Sequence, residues 1–249
     1  MAKDKQICGE VVGNVASIET MGLVDGPGVR FVVFMQGCPL RCAYCHNPEM
    51  WNANDEKQQF TPQQLVEKVK KYKPYFKNEG GLTISGGEPL MQSKFVEEVF
   101  KLCKENGIDT CLDTSGYGEN YETLLDFCDL VILDVKELDE KKYKSLVGQK
   151  IDKFYKFLSC CQEKNKTMWL RQVIVPGFND NVYSVLRLKE FAKNLKNVEK
   201  IELLPYHTMA LDKYKNLGMD YRLKGVPDMD KEKCKELEKY LKNKNCFLF

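Results

Sequence analysis

Six runs along the chain are short, rich in apolar and β-branched residues, and bounded by glycine, proline or charge: VRFVVFMQ (29–36), GLTISGG (81–87), DTCLDTSG (109–116), DLVILDVK (129–136), MWLRQVIVPG (168–177) and VEKIELLPYH (198–207). That pattern predicts buried strands. Between and after them, residues 61–78, 180–197 and 231–243 repeat apolar positions at helical spacing. The first of these opens with Thr61 as N-cap and Pro62 in the first turn, and places Leu65, Val69 and Tyr72 on one face. Strands separated by helices predict parallel β/α units with right-handed crossovers. A closed barrel of this kind uses about eight strands, so six predict an α/β fold with a partial (β/α)6 TIM-like barrel of parallel strands. No linker or charge block marks a boundary. The expectation is therefore one domain over 1–249, with a core at 14–208 and a C-terminal helical extension at 209–249.

In such folds chemistry gathers at the carboxyl ends of the strands. In chain order these ends carry a cysteine cluster, Ser85-Gly86-Gly87-Glu88, Asp113-Thr114-Ser115-Gly116, Asp134-Val135-Lys136, Arg171 with Pro176-Gly177, and Pro205-Tyr206-His207. Polar sets at one rim predict one site.

Composition narrows the setting. Of 249 residues, 43% are hydrophobic and 30% charged, and 38 basic against 36 acidic residues leave a formal charge of +2. No bulk field favours nucleic acid or an anionic membrane. No apolar run of about 18 residues could span a bilayer, and the first residues lack a secretory pattern. A cytoplasmic protein is expected, in which the eleven cysteines form no disulfide framework.

Within QGCPLRCAYCHNPEMW (36–51), Cys38, Cys42 and Cys45 have C-x3-C-x2-C spacing in a loop after a strand. Three chemistries are open. Cys42, Cys45 and His46 spell a c-type haem attachment signal, although that attachment is normally extracytoplasmic. Zinc could take the three thiolates with His46 as fourth ligand, under the constraint that His46 adjoins Cys45. Three thiolates could also hold an iron–sulfur cluster with one iron left open to a ligand. The cysteines at 8, 103, 111, 128, 160, 161, 234 and 246 show no second cluster spacing.

With Tyr44 as the aromatic residue before the third cysteine, this motif resembles that of the radical S-adenosylmethionine enzymes. Together with TISGGEPL, CLDTSGY, LDVKELD, RQVIVPG and VEKIELLPYH, the resemblance extends from about residue 14 onward and narrows to the glycyl-radical activases that act on pyruvate formate-lyase. Many other activases insert a ferredoxin-like eight-cysteine segment, and none lies between Cys45 and Gly86. Ribonucleotide-reductase activases also lack it but are shorter.

The resemblance implies one 4Fe-4S cluster on Cys38, Cys42 and Cys45, whose open iron binds S-adenosylmethionine, and formation of a glycyl radical on pyruvate formate-lyase. It implies that Gly86, Gly87 and Glu88 meet the methionine amino group, and that Asp134, Val135 and Lys136 lie at the cofactor, with Lys136 on the methionine carboxylate. His207 should reach the ribose, Tyr44 and His46 should border the adenine, and Arg171 should position the cofactor or an incoming peptide. Asp113, Thr114 and Asp134 could offer hard oxygens to a monovalent cation. Asp25 and Arg30, in the loop VDGPGVR, are expected to touch the partner's glycine loop. Reduced flavodoxin is the implied electron donor, and a monomer the implied state.

Overall fold

The computed structural model describes residues 11–242, so Cys8 and Cys246 lie outside the described residues. Eight strands form one sheet: β1 (Gly13–Gly22), β2 (Arg30–Met35), β3 (Gln58–Phe60), β4 (Gly81–Gly86), β5 (Asp109–Thr114), β6 (Leu130–Asp134), β7 (Thr167–Ile174) and β8 (Val198–Pro205). Their order is β3-β1-β2-β4-β5-β6-β7-β8. From β2 through β8 every neighbouring pair is parallel, and these six strands are the ones the hydrophobic runs predict. The sheet is open, with β3 and β8 at its two edges. The α/β partial barrel expected from the sequence is the observed fold. Unforeseen are β1 and β3, which pair antiparallel at one edge. In β1 the apolar alternation is diluted by Ser17, Glu19 and Thr20 and broken by bulges, and β3 is only three residues long.

The helices are α1 (Pro62–Lys70), α2 (Lys73–Phe76), α3 (Ser93–Glu105), α4 (Glu122–Asp126), α5 (Glu140–Val147), α6 (Asp152–Glu163), α7 (Val182–Lys193), α8 (Leu211–Asn216) and α9 (Lys231–Lys242). Thr61 caps α1 in a reciprocal box: its hydroxyl accepts from the Gln64 amide at 3.2 Å, and the Gln64 side chain accepts from the Thr61 amide at 2.9 Å. The single helix expected over 61–78 is two, because Pro74 cannot donate a backbone hydrogen bond and opens the short α2 instead of extending α1. Asn181 caps α7. Against α7 and β8 packs α9, and the Lys189 ammonium donates to the Tyr240 carbonyl at 2.9 Å.

Side chains alternate across a strand, and the two faces of this sheet differ. One face carries Phe31, Val33, Met35, Leu82, Ile84, Leu112, Val131, Leu133 and Leu170 into the main core, beneath the apolar faces of α1, α3, α6 and α7. On the inner face, Cys111, Leu130 and Ile132 form a small apolar cluster with Trp169. Two residues further along their strands stand Asp113, Asp134 and Arg171. The loop between β1 and β2 folds over this inner face, since Arg171 donates to the Val24 carbonyl at 2.9 Å and Thr83 to the Asp25 carbonyl at 2.7 Å. Gly28 permits the turn: its φ is +66°, and an added Cβ would lie 2.6 Å from the Gly80 nitrogen.

Candidate functional site

After β2 the chain turns at Gly37, with φ +98°, into the cysteine loop. The loop closes on itself, because the Gly37 amide donates to Met50 at 2.9 Å and the Cys38 amide to Trp51 at 3.3 Å. It is also tied to the end of α5, through the Arg41 amide to Val147 at 2.8 Å and the Ala43 amide to Leu146 at 2.9 Å. These ties turn Cys38, Cys42 and Cys45 toward one cavity of about 340 Å³, walled also by Tyr44, His46, Ser85, Gly86, Gly87, Asp113, Thr114, Asp134, Lys136 and Arg171.

The thiols are short of water. Burial pushes Cys42 up to about 12 and Cys38 higher still. Burial also raises Cys45, against hydrogen bonds from the Asn47 amide and the Trp51 side chain. Desolvated thiols hold their protons until a metal cation replaces them. Among the described residues no three His, Cys, Asp or Glu side chains already stand in closed ligand geometry. The loop thus supplies three soft donors on one wall, a set that fits an iron–sulfur cluster with an open iron. It fits four-ligand zinc poorly. His46, the candidate fourth ligand, stacks on His207 with ring centroids 3.8 Å apart and has its Nε2 3.1 Å from the His207 carbonyl oxygen. Burial lowers the His46 pKa to about 4, with His207 adding to the shift.

Opposite the cysteines, Lys136 donates to Asp134 at 2.5 Å and lies 5.6 Å from the centre of the Tyr44 ring. Burial works against the Lys136 charge, yet the Asp134 carboxylate raises its pKa well above the usual lysine value. Two buried polar atoms of the cavity wall have no protein partner, Asp134 Oδ1 and Tyr44 Oη, and behind His46 the same holds for His207 Nδ1. Buried polar atoms are normally bonded, so these mark where a polar ligand is accommodated. Next to them Asp113 accepts from Ser85 at 2.9 Å and from Arg171 at 3.4 Å. Burial pushes Asp113 up to about 6, with Arg171 opposing and Asp134 adding. Strand register sets Arg171 beside Glu202, and its Nε donates there at 3.1 Å.

Several expected site residues are placed elsewhere. Glu88 is fully buried and does not face the cavity. Its carboxylate accepts from the Leu90 amide, the Thr114 hydroxyl, and the Ser115 amide and hydroxyl, which ties β5 to the turn after β4. Gly86, at φ +113°, turns the chain before Glu88 and sends that side chain away; only Ser85, Gly86 and Gly87 of this set reach the cavity. Val135 is buried, and its amide and carbonyl are taken by Arg171 and Gln172. Thr114 reaches the wall, but its hydroxyl is committed to Glu88 and the Gly116 amide. His207 meets the site through His46. Arg30 is a correction. It has no exposed surface, donating to Thr83, the Glu79 and Leu82 carbonyls and Asp109, so it cannot contact a partner, whereas Asp25 lines the cavity.

The structure adds Trp51 and Asn47, which border the cavity beside Cys45 and end the cysteine motif itself. It adds Glu202, which pairs with Arg171 from the adjoining strand, and Lys213 and Tyr214, which contact the cysteine loop and which the local sequence does not announce.

Residues 32–188 match the Radical SAM superfamily. The chain is 50% identical over 234 residues to the pyruvate formate-lyase-activating enzyme of Clostridium pasteurianum, covering 93% of this chain and 98% of that one. It is 42% identical over 238 residues to the enzyme of the same name from Staphylococcus epidermidis, covering 92% and 95%. A domain of pyruvate-formate lyase-activating enzyme from Bacteroides vulgatus shares the fold with TM-score 0.53 at 23% identity, over 66% of this chain and 93% of that one. Streptococcus suis SuiB bound to its precursor peptide SuiA does so with TM-score 0.63 at 18% identity, over 85% and 44%. With its cysteine loop, its open parallel sheet and these likenesses, the chain belongs to the radical SAM superfamily and, within it, to the family of pyruvate formate-lyase-activating enzymes.

Proposed function

We propose that this chain generates the glycyl radical of pyruvate formate-lyase. The observation that carries the reading is the cavity itself: three thiols on one wall, the Lys136–Asp134 pair on another, and the unpartnered Asp134 and Tyr44 oxygens beside them. Cys38, Cys42 and Cys45 would hold a 4Fe-4S cluster. Reduced by one electron from an external donor and bound to S-adenosylmethionine, it would supply the radical chemistry that removes a hydrogen atom from a glycine of the partner, with methionine released from the cleaved sulfonium.

The protein's own residues bind and orient. Lys136 offers a charge to the methionine carboxylate, while Asp134 Oδ1 and the Gly86–Gly87 backbone face the amino group. Tyr44 and the His46–His207 stack border the nucleoside. Arg171, held by Asp113 and Glu202, is a rigid donor toward the cofactor or the entering peptide. A monovalent cation beside Asp113 and Asp134 belongs to the same reading, with Thr114 joining through its carbonyl because its hydroxyl is taken. Asp25 remains the partner-loop contact.

The chain works as one unit, its core at 14–208 and its extension at 209–249, a reading supported by the packing of α9 on α7 and β8. It is a cytoplasmic monomer that takes its electron from reduced flavodoxin or a similar donor. No described helix is long and apolar enough to cross a membrane.

Reduced protein mixed anaerobically with S-adenosylmethionine and pyruvate formate-lyase should give the electron paramagnetic resonance signal of a glycyl radical. The wild type should carry roughly four irons per chain, and Cys38→Ala, Cys42→Ala and Cys45→Ala should lose both iron and signal. Stoichiometric zinc in place of iron would refute the cluster assignment. Activation of a different glycyl-radical enzyme in preference would refute the substrate.

A further inference from the structure

The cysteine loop is held from two directions. Residues 37–43 hang on the loop's own base and on α5. The half from Cys45 onward is gripped by the segment that follows β8. Tyr214 Oη donates to the Cys45 carbonyl at 3.2 Å, and the Tyr214 ring meets Trp51 edge-on with centroids 5.9 Å apart. Lys213 donates to Asn47 Oδ1 at 2.7 Å and to Glu49 at 2.5 Å. The grip is itself braced: Tyr221 packs on Tyr214 at 4.8 Å and shares a 2.8 Å hydrogen bond with Tyr206, and Arg222 donates to the Arg41 and Leu146 carbonyls.

Two of the gripped residues stand beside a cluster ligand. Asn47 and Trp51, each with N–H groups to offer, border the cavity next to Cys45. Lys213 holds the first in place and Tyr214 the second. Hydrogen bonds to ligand sulfurs, and the outer groups that aim them, tune both the affinity and the potential of a metal centre.

We infer that Lys213 and Tyr214 are positioning residues for the iron–sulfur cluster, a clasp that fixes the Cys45 end of the loop and aims the Asn47 and Trp51 donors at the Cys45 sulfur. The inference rests on the cluster assignment above. Neither side chain touches the reacting atoms; both act through the loop.

The test uses reconstituted full-length protein without partner enzyme. Tyr214→Phe removes one hydrogen bond of about 1 kcal/mol, a factor of about five, so iron release to a chelator should be about fivefold faster than in wild type. Tyr214→Ala and Lys213→Met, which free Trp51 and Asn47, should also move the cluster's reduction potential to more negative values and alter the spectrum of the reduced cluster. Tyr221→Phe is the control, because it breaks the hydrogen bond to Tyr206 and leaves the loop contacts intact. It should lower thermal stability while keeping wild-type potential and iron retention. Wild-type potential and release rate in Tyr214→Ala and Lys213→Met would overturn the clasp, as would an equal change in Tyr221→Phe, which would reduce the effect to general loosening. A wild type that takes up no iron would overturn the cluster assignment, and the clasp with it.

Discussion

Arg30 begins β2 with its whole side chain out of water, and its guanidinium reaches the next two strands, Thr83 at 3.0 Å and the Leu82 carbonyl at 2.6 Å on β4 and Asp109 at 2.7 Å on β5. Deleting it strips a donor from the buried Thr83 and the Leu82 carbonyl, a cost of about 1–3 kcal/mol, while Asp109, 39% exposed, can turn to water. Arg30→Met should therefore lower the free energy of unfolding by that amount, read as a lower urea midpoint at an unchanged slope, while glycyl-radical yield per folded molecule stays at the wild-type level. A yield that falls with stability intact would return Arg30 to the partner surface. The misplacement has a physical origin. In VDGPGVR, Asp25 and Arg30 look equivalent, because a charge beside glycines reads as exposed. Nothing local shows that the loop turns inward over Thr83, leaving Asp25 at the cavity and Arg30 beneath it. Glu88 misleads in the same way, since the Gly86 backbone decides where it points. The cysteines and Lys136 were legible because their chemistry and spacing carry meaning without knowledge of where the backbone turns.

The parallel strands were legible as elements for a comparable reason. Strands covered on both sides give continuous apolar runs, and the six runs fall within a few residues of the observed limits. The antiparallel pair β1 and β3 lies at an edge, where half the positions face water and the signal thins. Helix starts were clearer than helix ends. Thr61 and Gln64 form the box their types suggest, and Thr61→Ala should cost about 1 kcal/mol, a fall in melting temperature of about 2–4 °C. A change below half a degree would show that α1 is fixed by Leu65, Val66 and Val69 packing alone.

At the scale of the whole molecule the open sheet joins a conventional apolar core on one face to a charged inner layer on the other. The charges are mutually satisfied only in part, since Asp134 Oδ1 has no protein partner. A ligand that completes the site should therefore stabilise the fold. At a hundredfold excess over its dissociation constant, S-adenosylmethionine should add about 2.7 kcal/mol to the cluster-loaded protein, and most of that gain should vanish when a chelator strips the iron. Equal stabilisation of the stripped protein would mean that Lys136 and its neighbours bind the ligand without the cluster.

The grip on the cysteine loop spans most of the chain: His46 meets the His207 carbonyl across 161 positions, and Tyr214 meets Cys45 across 169. Synthesis proceeds from the amino terminus, so the thiols leave the ribosome long before the residues that hold them. Emergence and assembly run in opposite order. A nascent chain with its first 205 residues outside the ribosome would display all three ligands and every parallel strand, yet the Cys45 arm would be held only at the loop's own base. Iron delivered at that moment would meet a site still without the contacts of Lys213 and Tyr214.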